Sequence, residues 1–300
     1  MAEQSGLFES VWFGDSLIHK PRLESVVMLA AVAARTHRVR LGTVCMASFP
    51  VRDPTLLAIQ WASLDQISKG RTMLGVCIGG GYEPELSAFG VKRQERVGRL
   101  REGILLLRKL WGDEKVYHRG RFYTLEGYQI LPKPAQKPPP IWIAVSPDRA
   151  EVGDRVVDRA MRRVGTLADG YIAMGVTADE FHRRWEVIEA TAKELGRDLK
   201  DFETSIHGMV NIHDSKRVAY EESKFYFSHY YGPSYPTEEM IKVWLAHGPP
   251  EECARLIQSW IDMGITTPVL RFTSRDQLGQ MRRFIEEVLP LLRLNRGARG

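Results

Sequence analysis

The chain has 300 residues, of which 44% are apolar and 26% are charged, a composition typical of globular proteins and unlike that of disordered or collagen-like chains. Its net charge is +5, and the basic residues are interspersed with acidic ones, which argues against nucleic-acid binding. Its three cysteines form no CxxC pair and no zinc spacing, so neither a metal site nor a disulfide scaffold is expected.

The sequence pattern also predicts neither a secretory signal nor a membrane-spanning segment. The first residues lack a basic region followed by an apolar one, and no apolar run approaches about 18 residues. The cysteines Cys45, Cys77 and Cys253 are therefore expected to be reduced, as in proteins of the cytoplasm, which is the expected location.

Short β-rich runs alternate with helical patterns along nearly the whole chain, which predicts a mostly parallel sheet with crossover helices. Seven strands are predicted, at residues 10–14, 40–46, 72–78, 141–145, 170–174, 203–212 and 268–272. Helices are predicted at residues 23–36, 54–68, 96–111 and 274–294. No dinucleotide-binding glycine pattern follows the first strand, so a barrel is favoured over an open doubly wound sheet.

Two segments interrupt this alternation. Residues 112–140 predict a hairpin, with strands at 115–118 and 121–125, followed by a proline-rich stretch. Because the alternation resumes at Ile141, we expect an insertion within a single domain that spans residues 1–300. Residues 214–247 predict a helix followed by a loop long enough to act as a lid.

Several sequence segments are each weak evidence of relationship to a known family, but their order and spacing together are specific. They include ESVWFGD at 9–15, LAAVAARTHRVRLGT at 29–43, LDQISKGR at 64–71, LGVCIGG at 74–80, PIWIA at 140–144 and GPPEE at 248–252. In these segments the chain resembles the luciferase-like monooxygenase family over about residues 2–290.

The resemblance implies a TIM (β/α)8 barrel with an insertion between strands 4 and 5, where residues 112–140 fall. It also implies that the counterpart of the first barrel strand is missing from this chain. Family members use reduced FMN with molecular oxygen, or the deazaflavin F-420 as a hydride carrier. The active site of such a barrel lies at the C-terminal ends of its strands.

The first strand ends at Asp15, which is either a loop cap or a residue on the cofactor side. Relatives often have a histidine next, against the flavin ring, whereas this chain has Ser16. That leaves the acid–base role of this histidine unfilled, and His19 is too far along the loop to be assumed its replacement. The resemblance further implies a bulge at Val44 and Cys45, often with a non-proline cis peptide, that supports the flavin.

Later strand ends supply further candidates for holding the cofactor. Gly79 and Gly80 let the backbone approach a ligand, or form a tight turn. The resemblance implies that two more strand ends hold the cofactor phosphate and ribityl chain, through Ala144, Val145, Ser146, Ala173 and Met174. Ser146 is a suitable phosphate donor but could equally cap the following helix.

The last two predicted strands carry His207 and Arg271. The histidine is either a structural group or a contact for substrate or flavin. Arg271 places a permanent cation in an apolar strand, so we expect an anionic partner, either a phosphate or a nearby carboxylate. Ser16, His207 and Arg271 are the candidate catalytic residues. We expect one pocket to be ringed by Asp15, Cys45, Gly80, Ser146, Met174 and Arg271.

The favoured function is a monooxygenase that uses reduced FMN (FMNH2), supplied by a separate reductase, to insert one oxygen atom from O2 into a small organic substrate. No nicotinamide-binding pattern is present, in agreement with an external reductase. The alternatives are an F-420-dependent hydride-transfer oxidoreductase and a flavin-binding protein without turnover. Apolar helix faces at 57–64 and 104–110 further predict a homodimer or higher homo-oligomer.

Overall fold

The computed structural model describes residues 1–147, 149–232 and 236–294. The chain forms two compact units. The first comprises residues 1–144 with 166–170, and the second comprises 145–165 with the rest of the chain from residue 171. Among the described residues, no helix is both long and apolar enough to cross a membrane.

The first unit alternates strands and helices. Its strands are β1 (Ser10–Phe13), β2 (Arg40–Thr43), β3 (Thr72–Val76), β4 (Val116–Arg119), β5 (Thr124–Tyr128) and β6 (Ile141–Ala144). Its helices are α1 (Ala2–Ser5), α2 (Ser25–Ala33), α3 (Pro54–Ser68), α4 (Glu83–Ala88) and α5 (Arg96–Trp111), with 3-10 turns at Phe49–Val51 and Arg93–Glu95. Strands β1, β2, β3 and β6 are parallel neighbours in that order, while β4 and β5 form a separate antiparallel hairpin.

Helix α3 shows how local sequence sets these boundaries. Asp53 accepts hydrogen bonds from the amides of Thr55 and Leu56, both at 2.9 Å, and Pro54 occupies the first helical position. Lys69 ends the helix in the left-handed conformation. The predicted helix at 54–68 is thereby confirmed.

The predicted hairpin is also confirmed, but its second strand begins at Thr124 instead of residue 121. The reason is Glu102 of α5, whose carboxylate accepts the amides of Phe122 and Tyr123 at 3.0–3.2 Å. The same carboxylate contacts the His118 ring at 3.1 Å. These bonds hold the residues before Thr124 as a turn.

The second unit continues the alternation. Its strands are β7 (Gly170–Ala173), β8 (Glu203–Ile212), β9 (Leu245–Gly248) and β10 (Thr267–Phe272). Its helices are α6 (Arg149–Val152), α7 (Asp154–Leu167), α8 (Ala178–Glu194), α9 (Lys216–Tyr230), α10 (Glu238–Trp244), α11 (Pro250–Asp262) and α12 (Gln277–Arg283). The order of neighbouring strands is β7, β8, β10, and β9 pairs in parallel with the end of β8.

All seven predicted strands are present, and three details differ from the expectation. Strand β9 was not predicted, because it has four residues and includes a histidine and a glycine. The region after α9 contains the helix α10 and is therefore not a simple loop, although residues 233–235 of the predicted lid lie outside the described residues. The predicted helix at 274–294 ends as an α-helix at Arg283 and continues as π and 3-10 turns.

The expected self-association stays a prediction. In the two segments expected to carry it, Leu57, Leu64, Ile104 and Leu110 are buried within the chain, whereas Ile59 and Leu105 are exposed. The exposed apolar side chains of α3 are those of Leu56, Ile59 and Ile67.

Candidate functional site

Asp15 is a buried carboxylate directly after β1, with 6% of its surface exposed. It accepts hydrogen bonds from the Ser25 hydroxyl at 2.7 Å, from the Ser48 amide at 2.8 Å and hydroxyl at 2.5 Å, and from the Arg52 guanidinium at 2.9 Å. Arg52 also pairs with Glu24 at 2.6 Å. Because both oxygens are engaged by protein groups, the geometry fits the loop-holding alternative for Asp15.

Ser16, the next residue, is just as buried, with 7% of its surface exposed. Its hydroxyl has no hydrogen-bond partner among the described residues. Leaving a buried polar group unpaired costs about 1–3 kcal/mol. The Ser16 hydroxyl therefore retains its full capacity to bond to a ligand.

The bulge expected after β2 is present. The peptide bond between Val44 and Cys45 is cis, and Met46 then rejoins the sheet opposite Val76. The interaction with the Cys77 thiol, together with burial, raises the pKa of the Cys45 thiol well above its ordinary value of 9.0. Cys45 is therefore held as a neutral thiol and is a poor nucleophile.

The glycine loop after β3 requires glycine at two of its positions. Gly79 and Gly81 have φ angles of 70° and 72°, and a Cβ on Gly79 would lie 2.4 Å from the Ala47 carbonyl oxygen. The Arg96 guanidinium holds the loop by donating to the Gly79 carbonyl at 2.7 Å. A Cβ on Gly80 would meet no atom within 4 Å, so this exposed backbone is open to a ligand.

The loop after β1 is fixed by a carboxylate that sequence reasoning missed. Glu85 of α4 accepts the backbone amides of Leu17, Ile18 and His19 at 3.1, 2.8 and 3.3 Å. The His19 imidazole stacks on the Tyr82 ring, with centroids 4.3 Å apart and an interplanar angle of 15°. No local pattern could have revealed Glu85, because its partners lie more than 60 residues away in the chain.

In the second unit, Val145 and Ser146 follow β6, and Met174 follows Ala173 at the end of β7. The Ser146 hydroxyl accepts the Met174 amide at 2.7 Å and lies 3.4 Å from a guanidinium nitrogen of Arg184. Both neighbours are donors, so the Ser146 hydroxyl directs its own proton elsewhere, either to the Tyr171 hydroxyl with which it also interacts or to an acceptor such as a phosphate oxygen. This bonding links two strand ends, while the helix-cap alternative stays a prediction, since residue 148 lies outside the described residues.

Arg184 is a second residue that sequence reasoning missed. It is 97% buried, since only 3% is exposed, and it donates to Glu180 at 2.7 Å, to the Pro147 carbonyl at 2.8 Å and to the Tyr171 hydroxyl at 3.3 Å. Burial lowers the pKa of Arg184, but Tyr171 and Glu180 more than offset this and raise it above its ordinary value. The strand-end segment around Pro147 therefore has a fixed positive charge beside it.

A sequence signal for Arg184 does exist. It shares the buried face of α8 with Phe181 and Ile188, three and four positions away. A cation in an apolar stripe is uncommon and needs a specific partner.

The last two candidates lie in β8 and β10. The buried His207 packs edge-on to Trp244, with centroids 6.3 Å apart, and its carbonyl accepts the indole N–H at 2.6 Å. The Arg271 guanidinium lies 4.2 Å from the Tyr230 ring centroid and 5.5 Å from that of Tyr226. The expected carboxylate partner of Arg271 is wrong for the residues that the structure describes, because cation–π contacts accommodate its charge instead.

A cavity of about 290 Å³ lies in the second unit, between the aromatic face of α9 and the residues after β10. Glu222 lines it and accepts bonds from the Asn211 side chain at 3.0 Å, the Ser274 hydroxyl at 2.9 Å and the Arg275 amide at 3.1 Å. Burial raises the pKa of Glu222, but these three bonds lower it below its ordinary value of 4.5.

The candidate residues thus form one group in each unit. In the first unit, Asp15, Ser16, Cys45, Gly79 and Gly80 follow the C-terminal ends of three adjacent parallel strands. In the second unit, Ser146 and Met174 are bonded to each other and Arg184 lies against them. Within each unit, these residues follow the C-terminal ends of the strands, where α/β barrels and sheets bind ligands and carry out chemistry.

Comparison with known proteins defines the class. A family model described as luciferase-like monooxygenase matches residues 1–267, and the chain belongs to this family. It is an enzyme of the luciferase-like oxidoreductase type.

Relatives with assigned activities match nearly the whole chain. The F420-dependent glucose-6-phosphate dehydrogenase of Kineococcus radiotolerans is 29% identical, over 97% of this chain and 90% of the relative. The enzyme with the same description from Amycolatopsis mediterranei is 27% identical, over 97% and 92% of the two chains.

Solved structures share the fold. An F420-dependent secondary alcohol dehydrogenase in complex with an F420-acetone adduct superposes with a TM-score of 0.83 and 19% identity, over 97% of this chain and 92% of that one. The monooxygenase RslO1 from Streptomyces bottropensis gives a TM-score of 0.78 and 22% identity, over 96% and 90%. The expected fold class, an α/β barrel of the luciferase-like type, is confirmed.

Proposed function

We propose that this enzyme transfers a hydride between a small organic substrate and the deazaflavin F420. The observation that carries the proposal is the similarity, over nearly the whole chain, to relatives described as F420-dependent dehydrogenases. The expected FMNH2-dependent monooxygenase becomes the second candidate, because the neighbours with oxygenase descriptions are less than 25% identical and support the fold alone.

The residues of the first unit suit a flavin-type ring. The Ser16 hydroxyl is buried without a partner, and the backbone at Gly80 borders open space. A ring with hydrogen-bonding edges would satisfy that hydroxyl, and glycine permits its close approach. When bound, the deazaflavin supplies the hydride acceptor or donor, and the role of these residues is to position it.

The residues of the second unit suit an anionic group of the cofactor. Ser146 has a hydroxyl proton to donate, and Arg184 provides a buried positive charge next to it. A phosphate removed from water needs several donors, and a charged one contributes about 1.5–3 kcal/mol. Arg271 is a further cation of this unit, and its phosphate role stays a prediction.

The decisive experiment adds each cofactor separately to the purified protein. Oxidised F420 is expected to bind with a change in absorbance or fluorescence, and an alcohol substrate is expected to bleach it without oxygen. Oxygen consumption with chemically reduced FMN, and no bleaching of F420, would instead establish the monooxygenase and make a separate reductase necessary. Binding of either cofactor without turnover of any tested substrate would establish the flavin-binding alternative.

The substrate class follows from the same relatives. Glucose-6-phosphate is the first compound to test, because the relatives that match nearly the whole chain are described as its dehydrogenases. Simple secondary alcohols serve as the comparison substrates. Turnover of secondary alcohols without turnover of the sugar phosphate would show that the chain shares only the cofactor with its relatives.

Binding variants test the cofactor assignment residue by residue. Loss of one hydroxyl donor is worth about 1 kcal/mol, so Ser146→Ala is expected to weaken F420 binding about fivefold. Arg271→Ala should weaken it about tenfold if the guanidinium binds the phosphate. Arg275→Ala is the matched control, since Arg275 also lies over an aromatic ring of α9, that of Phe225 at 4.8 Å.

Self-association is proposed as well, through the exposed face of α3, which includes Ile59 of the expected segment. Leu56, Ile59 and Ile67 form an exposed apolar stripe along α3. Sedimentation is expected to show a dimer or larger species, and Ile59→Lys is expected to shift it toward the monomer. A wild-type monomer at all concentrations would remove this proposal.

A further inference from the structure

The proposed hydride transfer requires a base in the oxidation direction. When an alcohol is oxidised, its carbon loses a hydride and its hydroxyl loses a proton, which a positioned side chain normally accepts. Ser16 is a poor base because a serine hydroxyl does not take up a proton near neutral pH. Two carboxylates are close to this loop, Asp15 before Ser16 in the chain and Glu85 of α4. Both already accept hydrogen bonds from protein donors. The base must come from another residue.

Histidine is the usual choice near neutral pH, and the chain has eight. Five have a ring nitrogen in a hydrogen bond with a protein group, namely His118, His182, His213, His229 and His247. His19, His37 and His207 remain to be compared by their position.

Position separates these three. His37 precedes β2, so it lies at the opposite end of the parallel strands from the candidate site. His207 lies within β8, buried and packed against Trp244. His19 lies in the loop that follows the C-terminal end of β1, three residues after Ser16.

The His19 ring is exposed but held in place. Glu85 fixes its backbone amide, and stacking on Tyr82 orients the imidazole. The structure describes no hydrogen bond to either of its ring nitrogens, so both are available to a substrate. An ordered side chain with an unused acceptor is what a general base requires.

We infer that His19 is the general base of this enzyme and takes the hydroxyl proton of the alcohol. The inference rests on the proposed function. In the step, the O–H bond breaks and its proton goes to the imidazole, and a second C–O bond forms. The C–H bond breaks with its electron pair, which passes as hydride to oxidised deazaflavin, so the alcohol is oxidised by two electrons and the deazaflavin is reduced.

The charges around His19 support this role. Burial and the neighbouring Lys20 lower the pKa of His19 below its ordinary value of 6.5, and Glu85 partly opposes them. Tyr82, the other titratable group in contact, stacks on the ring. The imidazole is therefore neutral at pH 7 and able to accept a proton.

The test compares His19→Gln with the matched control His37→Gln, and with His207→Gln as the rival candidate, in the anaerobic F420 assay. His19→Gln is expected to lower kcat about a hundredfold, in line with the loss of a general base, while F420 binding changes less than twofold. The wild-type kcat/KM should fall tenfold per pH unit below the pKa of His19, and His19→Gln should abolish this fall. Imidazole added to His19→Ala should restore part of the rate.

Two results would overturn the assignment. If His19→Gln retains a third or more of the wild-type kcat, or if His207→Gln is the variant that loses the acidic limb of the pH profile, His19 is not the base. Wild-type enzyme that binds F420 but reduces it with no alcohol contradicts the proposed function instead, so the two failures are distinguishable.

Discussion

The two units each bury an arginine–carboxylate pair beside a strand end, and the two pairs differ in what they leave unused. Arg52 and Asp15 lie 2.9 Å apart in the first unit, and Arg184 and Glu180 lie 2.7 Å apart in the second. The first cluster uses all the oxygens of Asp15 on protein donors and leaves its neighbour Ser16 without a partner. The second cluster instead supplies two donors to the Ser146 hydroxyl, whose own proton can pass from the Tyr171 hydroxyl to an anionic ligand.

The difference shows that burial of a polar residue at a strand end does not establish a role in binding. Asp15 is deeply buried and suitably placed, yet its hydrogen-bonding capacity is spent on holding the loops together. The remaining capacity, which is what a ligand can use, belongs to Ser16 in one unit and to Ser146 in the other. This distinction can be tested by mutation.

The largest effect is expected in the second unit. Arg184→Met leaves the Glu180 carboxylate and the Pro147 carbonyl without their buried cation, and breaking a buried pair in this way costs about 3–5 kcal/mol. The measurement is the free energy of unfolding in urea. Arg183→Met is the matched control, because Arg183 bonds to the same Glu180 at 3.2 Å but is 59% exposed, so its loss should cost about 0.5 kcal/mol or less. Equal losses in the two variants would contradict the importance of the buried contact.

The next effect is in the first unit. Asp15→Asn keeps the shape of the side chain but removes the charge from its bonds to Arg52, Ser25 and Ser48, and charged hydrogen bonds contribute about 1.5–3 kcal/mol. We expect a loss of about 2 kcal/mol in stability with the strand-end loops still formed. Asp53→Asn provides the control, since Asn caps a helix as well as Asp does. A stable Asp15→Asn protein that no longer binds F420 would favour the cofactor-side role over the loop-holding one.

Periodicity predicted the strands and helices of both units well. Each element buries one face, so its apolar residues recur at the spacing of that face. Helix α3 was predicted to the residue, since Pro54 and Gly70 mark its ends in the sequence. That Ser16 stands where relatives often have a histidine was visible from the family resemblance. Its missing hydrogen bond was not, because that depends on atoms brought together by the fold.

The residues that were missed act over long chain distances. Glu85 binds amides 66–68 positions away, and no local pattern records such a contact. Arg271 was expected to need an anion because the sequence does not show which groups face a strand residue. The structure places the rings of Tyr226 and Tyr230 there, four residues apart on α9, so an aromatic pair replaces the carboxylate.

A pH experiment sharpens the comparison at the cavity of the second unit. Hydrogen bonds lower the pKa of Glu222 in the folded protein, so the stability it contributes is present above its ordinary, unfolded pKa of 4.5 and is lost as the pH falls through the lower, folded value. Glu222→Gln should therefore cost about 1 kcal/mol at pH 7, and the difference from wild type should shrink below pH of about 4.5. Glu221→Gln, at the exposed neighbouring position, is the control and should change stability by about 0.5 kcal/mol or less at pH 7. A constant difference for Glu222→Gln from pH 7 to pH 3 would contradict the assignment.

The smallest and most specific effect concerns two serines near Asp15. Ser16 is the next residue in the chain, and Ser48 donates a hydrogen bond to the Asp15 carboxylate. Ser48 donates its hydroxyl to Asp15, so Ser48→Ala should destabilise the fold by about 1 kcal/mol. Ser16→Ala removes a buried hydroxyl without a described partner, so it should leave stability unchanged or raise it by up to about 1 kcal/mol.

Ligand binding should show the reverse order. If the Ser16 hydroxyl bonds to the deazaflavin, Ser16→Ala should weaken F420 binding about fivefold, the equivalent of about 1 kcal/mol, while Ser48→Ala leaves binding nearly unchanged. Thermal melts with and without F420 on both variants measure the two effects together, because a ligand stabilises the folded state according to its affinity. A Ser16→Ala protein that is less stable than wild type but binds F420 equally well would show that its hydroxyl serves the fold, and would remove Ser16 from the cofactor site.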